Sequence, residues 1–283
     1  MNKYSFDHLK DRVCVITGGG GVIGGAITKC LSPVGVKVAV LDLSKEAADK
    51  AAKALVDEFK TPAMGVEANV LDEESLMRAK QEVNKVFGKV DILINCAGGN
   101  SPKATTQVEF IDKENISELG KTFYGLSIDG FRKVFDLNFL GTILPTMVFT
   151  KDMIEKVEGS VLNISSMNSF RPLTKIPAYS AAKASINNFT EWLAVHLAKV
   201  NIRVNAIAPG FFLTNQNRFL LIDEKTGNLT SRGNKILTAT PMGKFGEPED
   251  LQGAVLYLLS DLAKFVTGVV IPIDGGFNVY SGV

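Results

Sequence analysis

The sequence predicts an α/β protein built on one doubly wound parallel sheet of about seven strands, with helices on both faces. Three observations carry that expectation. Short, mostly apolar runs recur along the 283 residues, continuous rather than alternating, as in strands buried on both faces. Stretches with helical spacing separate them. A glycine-dense turn, Gly18 to Gly25, joins the first apolar run to the first helical stretch. The connections are too short and regular for a domain break, and no repeat or low-complexity block occurs, so residues 1–283 are expected to form a single domain.

Arg12 to Ile16 is the first expected strand, ending at Thr17, and Ala26 to Leu31 continues a helix beyond the glycines. Without Cβ atoms the backbone at Gly18, Gly20, Gly21 and Gly24 can approach a pyrophosphate, whose charge the free N–H groups at the helix start attract. This is the phosphate cradle of a Rossmann-like sheet. A GxGxxG match falls on Gly19, Gly21 and Gly24, although so glycine-rich a stretch satisfies several patterns and a flexible turn is the plain alternative. No Gly-Lys-Ser or Gly-Lys-Thr ending follows, which disfavours a P-loop nucleoside triphosphatase.

Val36 to Leu41 is the second strand, and Asp42 stands at its end. A carboxylate there accepts hydrogen bonds from ribose hydroxyls and repels a 2′-phosphate, so NAD is expected as cofactor and NADP is disfavoured. The alternative is that Asp42 only helps to start the next helix, where Ser44 is also a plausible N-cap. A helix over 44–59, a strand over 63–67, a helix over 72–87 and a strand over 90–94 follow, the last emptying into Asn95-Cys96-Ala97-Gly98-Gly99. Further strands are expected over 161–164, 202–207 and 268–271.

Two stretches break the rhythm. Residues 100–127 mix charges and glycines ahead of a helix that begins near Ile128 and contains Asn138. Residues 211–246 follow Pro209-Gly210 and carry Asn215, Asn217, Arg218, Arg232 and Lys235 beside Phe211, Phe212, Phe219 and Leu220. Both are expected at the carboxyl ends of the strands, where ligands bind in such sheets, as a rim and a lid. Disorder is the bland reading of the second, but its aromatic content favours packing.

Composition excludes several function classes. A formal net charge of +1 gives no electrostatic case for nucleic acid or an anionic membrane. Cys14, Cys30 and Cys96 are unclustered and lie in apolar surroundings, the pattern of reduced thiols in the cytosol. With only His8 and His196, and neither CxxC nor HExxH, no metal is expected. There is no apolar run of the ~20 residues a membrane span needs, and no signal region, so the protein is expected in the cytoplasm. Trp192 with Phe189, Leu193 and Leu197 reads as core or subunit contact, and His196 as a surface residue of the same helix.

Tyr179 and Lys183 are four apart in Tyr-Ser-Ala-Ala-Lys, behind a strand that ends in Ser165-Ser166. On one helix face the ammonium can favour the ionised phenol, making a proton donor or acceptor. The spacing alone is one that chance supplies. Together, though, Thr17-Gly18 through Gly24, Asp42, Asn95-Cys-Ala-Gly98, Asn138, Ser166, Tyr179 with Lys183, and Pro209-Gly210 with Thr214 resemble the short-chain dehydrogenase/reductase family across essentially the whole chain. Ser166 rather than Ser165 matches, because the family's serine usually stands thirteen positions before its tyrosine. Val22 replaces the usual middle glycine of the turn, and Cys96 the second asparagine of the usual Asn-Asn-Ala-Gly.

The resemblance implies hydride transfer between a nicotinamide cofactor and a carbonyl or alcohol. Tyr179 would exchange the proton, Ser166 would hydrogen-bond the oxygen, and Lys183 would lower the phenol pKa from about 10 and hold the nicotinamide ribose. Asn138 would support a water linking the lysine to solvent. Cofactor contacts are implied for Gly18, Gly20, Gly21, Val22, Ile23, Gly24, Asp42, Asn69, Val70, Asn95, Ala97, Gly98, Pro209, Gly210, Phe212 and Thr214, besides Tyr179 and Lys183. The glycine turn, the 100–127 stretch and Phe211 to Arg218 resemble the D-mannonate oxidoreductase (fructuronate reductase) branch, close to gluconate 5-dehydrogenases, which implies a sugar-acid substrate. Its carboxylate needs a cation, and Arg171 and Arg218, with Asn168, are the candidate contacts, each arginine being equally readable as a solvent-exposed charge. The family also implies a homotetramer or dimer.

Overall fold

The computed structural model describes residues 5–214 and 218–282, Phe219 by its backbone alone. Asn215 and Asn217 lie outside the described residues. The chain alternates β1 (Val13–Thr17), α1 (Val22–Leu31), β2 (Lys37–Asp42), α2 (Lys45–Phe59), β3 (Ala63–Glu67), α3 (Glu73–Phe87) and β4 (Ile92–Asn95). After the first irregular stretch come α4 (Ile128–Phe135), α5 (Gly141–Lys156), β5 (Gly159–Ile164), α6 (Pro177–Leu197) and β6 (Ile202–Pro209). The second irregular stretch holds α7 (Arg218–Leu221) and α8 (Ser231–Thr238), and α9 (Gln252–Leu259) and β7 (Val270–Ile273) follow it.

All seven strands join one parallel sheet in the order β3-β2-β1-β4-β5-β6-β7. The direction of winding reverses between β1 and β4, where Thr17 pairs with Leu41 on one side and Asn95 on the other. A ligand crevice belongs at that reversal, outside the carboxyl ends of the strands.

Strand side chains alternate between two apolar layers. Cys14, Ile16, Val38, Val40 and Ile94 pack against α1, α2 and α9 through residues such as Ile27, Leu31, Leu55 and Leu258. Val13, Val15, Ala39, Leu41 and Leu93 pack against α3, α5 and α6 through Leu76, Phe149, Met153 and Leu193. Because both faces are covered, β1 is buried at every position. The starts of α2 and α3 are capped by side chains. The Ser44 hydroxyl accepts from Ala47 N, and Asp72 accepts from Glu74 N and Ser75 N, each cap stabilising by about 1 kcal/mol.

One expectation is corrected. The seventh strand lies over Val270–Ile273 rather than 268–271, because Gly268 turns the chain with φ +81, a left-handed conformation no strand contains. The helix beginning at Ile128 contains Asn138 as expected, with a single π turn, Asp136–Leu140, between α4 and α5. The second irregular stretch is packed, bridging Phe212 to Gly246 and Ile222 to Leu229. No helix among the described residues is long and apolar enough to cross a membrane.

Candidate active site

The glycine turn is shaped by contacts that exclude side chains. Gly18 has φ +62, and a Cβ on Gly24 would lie 2.6 Å from Gly18 O and 2.7 Å from Gly19 Cα. The first turn of α1 is thereby pressed against the loop, with extended Gly21 at its N-cap and no side chain over its N–H groups. That leaves orphan donors for an anion. Val22 is the first helical residue and has no positive φ, so glycine is not required there and the family departure is sterically neutral. Gly24→Ala is expected to weaken NADH binding at least tenfold, read by fluorescence titration. Gly25→Ala, whose Cβ would meet nothing within 4 Å, is the control, and equal affinities would show that the close approach does not shape the cofactor site.

Asp42 projects from the end of β2 into the same cleft. Its Oδ2 accepts from Gly20 N at 3.2 Å and its Oδ1 from Ser44 N at 3.2 Å. Since Ser44 caps α2, Asp42 is not the capping residue, and its carboxylate is held at the cleft edge by the glycine turn. Gly20 acts through this bond and is not itself on the cleft wall. Asn69 and Val70 form the adjoining wall. Leu43 and Leu71 join them, and Leu43 is 71% exposed. A sequence reading that follows polar motif residues passes over these apolar neighbours.

The β4 end is divided between wall and scaffold. Cys96 N and Ala97 N both donate to Thr17 Oγ1 at 3.1 Å, which brings Cys96, Ala97 and Gly98 to the cleft surface. Burial pushes the Cys96 thiol up to about 12. Asn95, implied above as a cofactor contact, stands one layer behind. It is buried, and its Nδ2 donates to Thr146 Oγ1 and Asn163 Oδ1 at 2.9 Å each. From there Asn163 donates to Thr190 of α6 at 2.9 Å, so Asn95 ties the sheet to the helices on that face.

Asn138, Ser166, Tyr179 and Lys183 converge at the inner end. Asn138 is fully buried in the π turn. Its Nδ2 donates to Gly99 O at 2.7 Å and Val134 O at 2.8 Å, and its Oδ1 accepts from Gly99 N at 3.2 Å. A Cβ on Gly98 would sit 2.8 Å from Asn138 Oδ1 and 3.3 Å from Lys183 Nζ, so the lack of a side chain at 98 is what lets these groups approach. Asn138 is therefore a clamp behind the wall, whereas Ser166, Tyr179 and Lys183 line the cleft. Lys183 Nζ donates to Ile164 O at 2.8 Å and lies 5.7 Å from the Tyr179 ring centroid.

The electrostatics differ from the expected lowering of the phenol pKa by Lys183. Burial raises the Tyr179 pKa, and the hydrogen bond with Ser166 offsets only part of that rise. Burial also pushes Lys183 down to about 8. Desolvation penalises both charged forms and is the largest cause of each shift.

A further residue was missed by the sequence reading. Asn187 follows Tyr179 and Lys183 at the next fourfold step along α6. Its Oδ1 accepts from Ser165 Oγ at 2.5 Å, and its Nδ2 donates to Ser169 Oγ at 2.8 Å, which in turn donates to Ser166 O at 2.6 Å. It thus holds both sides of the loop carrying Ser166. The i, i+4, i+8 spacing was the signal that could have found it.

Pro209, Gly210, Phe212 and Thr214 complete a cleft of about 810 Å³. The three expected substrate contacts stand off its wall. Arg171 Nε donates to Asn278 O at 3.1 Å, which ties the residue to the carboxyl-terminal segment. Arg218 is exposed at the start of α7, with its N donating to Thr214 O at 2.9 Å. Asn168 is buried, and its Oδ1 has no hydrogen-bond partner.

A glycine cradle at the sheet's switch point, a carboxylate at the second strand end and a half-buried tyrosine beside a buried lysine define a dinucleotide-dependent oxidoreductase site. The family model described as enoyl-(acyl carrier protein) reductase matches residues 20–278, and the chain belongs to the short-chain dehydrogenase/reductase family. An uncharacterised oxidoreductase of Haemophilus influenzae is 51% identical over 284 residues, covering 100% of this chain and 99% of that protein. A crystal structure with bound NAD from the same species carries the provisional name D-mannonate oxidoreductase. It superposes with a TM-score of 0.92 at 51% identity, covering 97% of this chain and 98% of that one. A 2-dehydro-3-deoxy-D-gluconate 5-dehydrogenase of Formosa agariphila is 30% identical over 268 residues, covering 95% of this chain and 93% of that protein. The protein is a dehydrogenase/reductase of a family that uses nicotinamide cofactors.

Proposed function

We propose that the protein interconverts a keto-sugar acid and the corresponding hydroxy acid, of the D-fructuronate/D-mannonate type, by hydride transfer with NAD(H). The observation that carries this is the convergence of Ser166, Tyr179 and Lys183 at the inner end of the glycine-cradled cleft. The 51% identical neighbour named for D-mannonate supports the substrate class. NADH, when bound, supplies the hydride to the carbonyl carbon. As negative charge grows on the carbonyl oxygen, Tyr179 transfers its phenolic proton there and Ser166 donates a second hydrogen bond. Lys183 would hold the nicotinamide ribose and assist the phenolate left behind. Asp42, fixed by Gly20 N, would receive the adenosine ribose and disfavour a 2′-phosphate.

The second reading, a gluconate 5-dehydrogenase or another sugar or polyol dehydrogenase with the same tetrad, is favoured by the 30% identical relative. A silent NAD-binding sensor or scaffold has no use for Tyr179, Ser166 and Lys183 together. NADH oxidation with a panel of keto-sugar acids and keto-polyols separates the three. D-Fructuronate is expected to give the highest kcat/KM, and NADPH a rate at least tenfold below NADH. A keto-polyol turned over faster would favour the second reading, and absence of turnover across the panel would favour the third.

Assembly as a homotetramer or dimer fits the exposed Trp192 and Val195 of α6 and Met147 and Ile154 of α5, apolar groups that a partner copy would cover. Free Cys14 and Cys30, buried and with raised pKa, suit a reducing cytoplasm.

A further inference from the structure

Ser166 is carried by a turn, outside any strand. It follows β5 with extended backbone, φ −163 and ψ 153, and opens the short 3-10 segment Met167–Ser169. Its Oγ accepts from Asn168 N at 3.3 Å and hydrogen-bonds the Tyr179 phenol, whose pKa that bond lowers. With Asn168 N on the oxygen, the hydroxyl proton is left for the phenol or for a substrate oxygen beside it. A donor stabilises a developing charge only if it is held where that charge appears, so the turn must be fixed against α6, which carries Tyr179.

Asn187 supplies that attachment on both sides of Ser166. Ahead of it, Ser165 Oγ donates to Asn187 Oδ1 at 2.5 Å. Behind it, Asn187 Nδ2 donates to Ser169 Oγ at 2.8 Å, and Ser169 Oγ donates to Ser166 O at 2.6 Å. Ser169 N donates to the same carbonyl at 2.9 Å. One turn earlier on α6, Lys183 Nζ donates to Ile164 O at 2.8 Å, so the chain is tied to this helix immediately before the serines as well. The bonds through Asn187 run in one direction. Because Ser169 Oγ accepts from Nδ2, its own proton is committed to Ser166 O, and a carboxamide is the side chain that offers an acceptor and a donor in one plane. Ser165 and Ser166 line the cleft, whereas half-buried Asn187 stands off its wall and reaches it through them.

We propose that Asn187 is a positioning residue for hydride transfer, fixing the Ser166 hydroxyl beside the Tyr179 phenol so that both reach one carbonyl oxygen. The assignment rests on the reading of Tyr179 as proton donor and Ser166 as second donor. A turn freed from α6 loses a hydrogen bond that gains strength as charge grows on the substrate oxygen, so the loss falls on kcat more than on KM or NADH affinity. Tyr179 at the same time loses the bond that lowers its pKa. The phenol then keeps its proton to higher pH, and the alkaline limb of carbonyl reduction moves upward with it.

The test measures kcat, KM, NADH affinity and the alkaline limb for the parent, Asn187→Ala, Ser166→Ala and the double variant, using D-fructuronate or whichever member of the panel above is reduced fastest. Asn187→Ala is expected to lower kcat about ten- to hundredfold, with KM and NADH affinity within about threefold of the parent and the alkaline limb at higher pH. In the Ser166→Ala background the same substitution should change kcat by less than about threefold, because the group it positions is gone. Ser169→Ala, which cuts the attachment without touching α6, should shift kcat and the alkaline limb in the same directions, and Ser169→Thr, which keeps the hydroxyl, should retain the parent values. A kcat within about threefold of the parent in Asn187→Ala, an equal loss with and without Ser166, or a fall in NADH affinity in step with kcat would reduce Asn187 to a structural strap and overturn the assignment. Turnover surviving in Tyr179→Phe, or absent across the panel, would instead sink the hydride-transfer reading, and the positioning role with it.

Discussion

Tyr179→Phe is expected to lower turnover by about 10³-fold or more while NADH still binds, because proton delivery to the developing alkoxide is removed and the ring is kept. The substitution deletes one oxygen at the inner end of the cleft and leaves α6, Lys183 and the glycine cradle in place. Ser166 then keeps its hydroxyl on the cleft wall, without the phenol it hydrogen-bonds. Steady-state NADH oxidation and a fluorescence titration of NADH give the two readouts. Turnover within tenfold of the parent would defeat Tyr179 as the proton donor. Since burial raises the Tyr179 pKa, the phenol keeps its proton across neutral pH. Reduction is accordingly expected to decline only on the alkaline side.

Lys183→Met is expected to cut both NADH affinity and turnover, each by at least about tenfold, and to change how stability depends on pH. In the folded protein burial takes the Lys183 pKa from 10.5 to about 8, whereas the unfolded chain keeps the ordinary value. Between those two pH values the unfolded state holds a proton that the folded state has released. Stability therefore rises with pH through this window, and below about 8 the full cost of burying the ammonium is present. The shift corresponds to at most about 3 kcal/mol. Loss of the hydrogen bond to Ile164 O at 2.8 Å penalises Lys183→Met at every pH and does not alter the slope. The parent should thus gain stability relative to Lys183→Met from pH 7 to pH 10, as read by denaturant titrations at each pH. Parallel curves would mean that Lys183 is not desolvated, and loss of turnover with NADH affinity intact would contradict its role at the ribose.

Much of this molecule is legible in its sequence, for identifiable reasons. Continuous apolar runs mark strands covered on both faces, and Ser44 and Asp72 announce the helices they cap. Boundaries were less secure. Gly268 reads as part of a strand until its positive φ makes it a turn. The π turn at Asp136–Leu140 has no signal in side-chain spacing, because one extra residue in a turn shifts the helical register only locally. A four-residue spacing places Lys183 near Tyr179 but says nothing about depth, and desolvation is the largest cause acting on both groups.

By itself the sequence determined the order of strands and helices, the glycine cradle and the acidic residue at the second strand end, since each is a local pattern in which composition and spacing carry the physics; the Ser–Tyr–Lys group was legible through the family resemblance. Only the tertiary structure decided which residues reach the cleft. It set Asn95 behind the wall, tied Arg171 to the carboxyl-terminal segment, brought Asn187 to the loop of Ser166, and joined Glu109 to Lys235 across more than a hundred residues. These pairings depend on how three strand ends are set side by side in one sheet, and contacts between segments distant in the chain leave no periodicity for a single sequence to display.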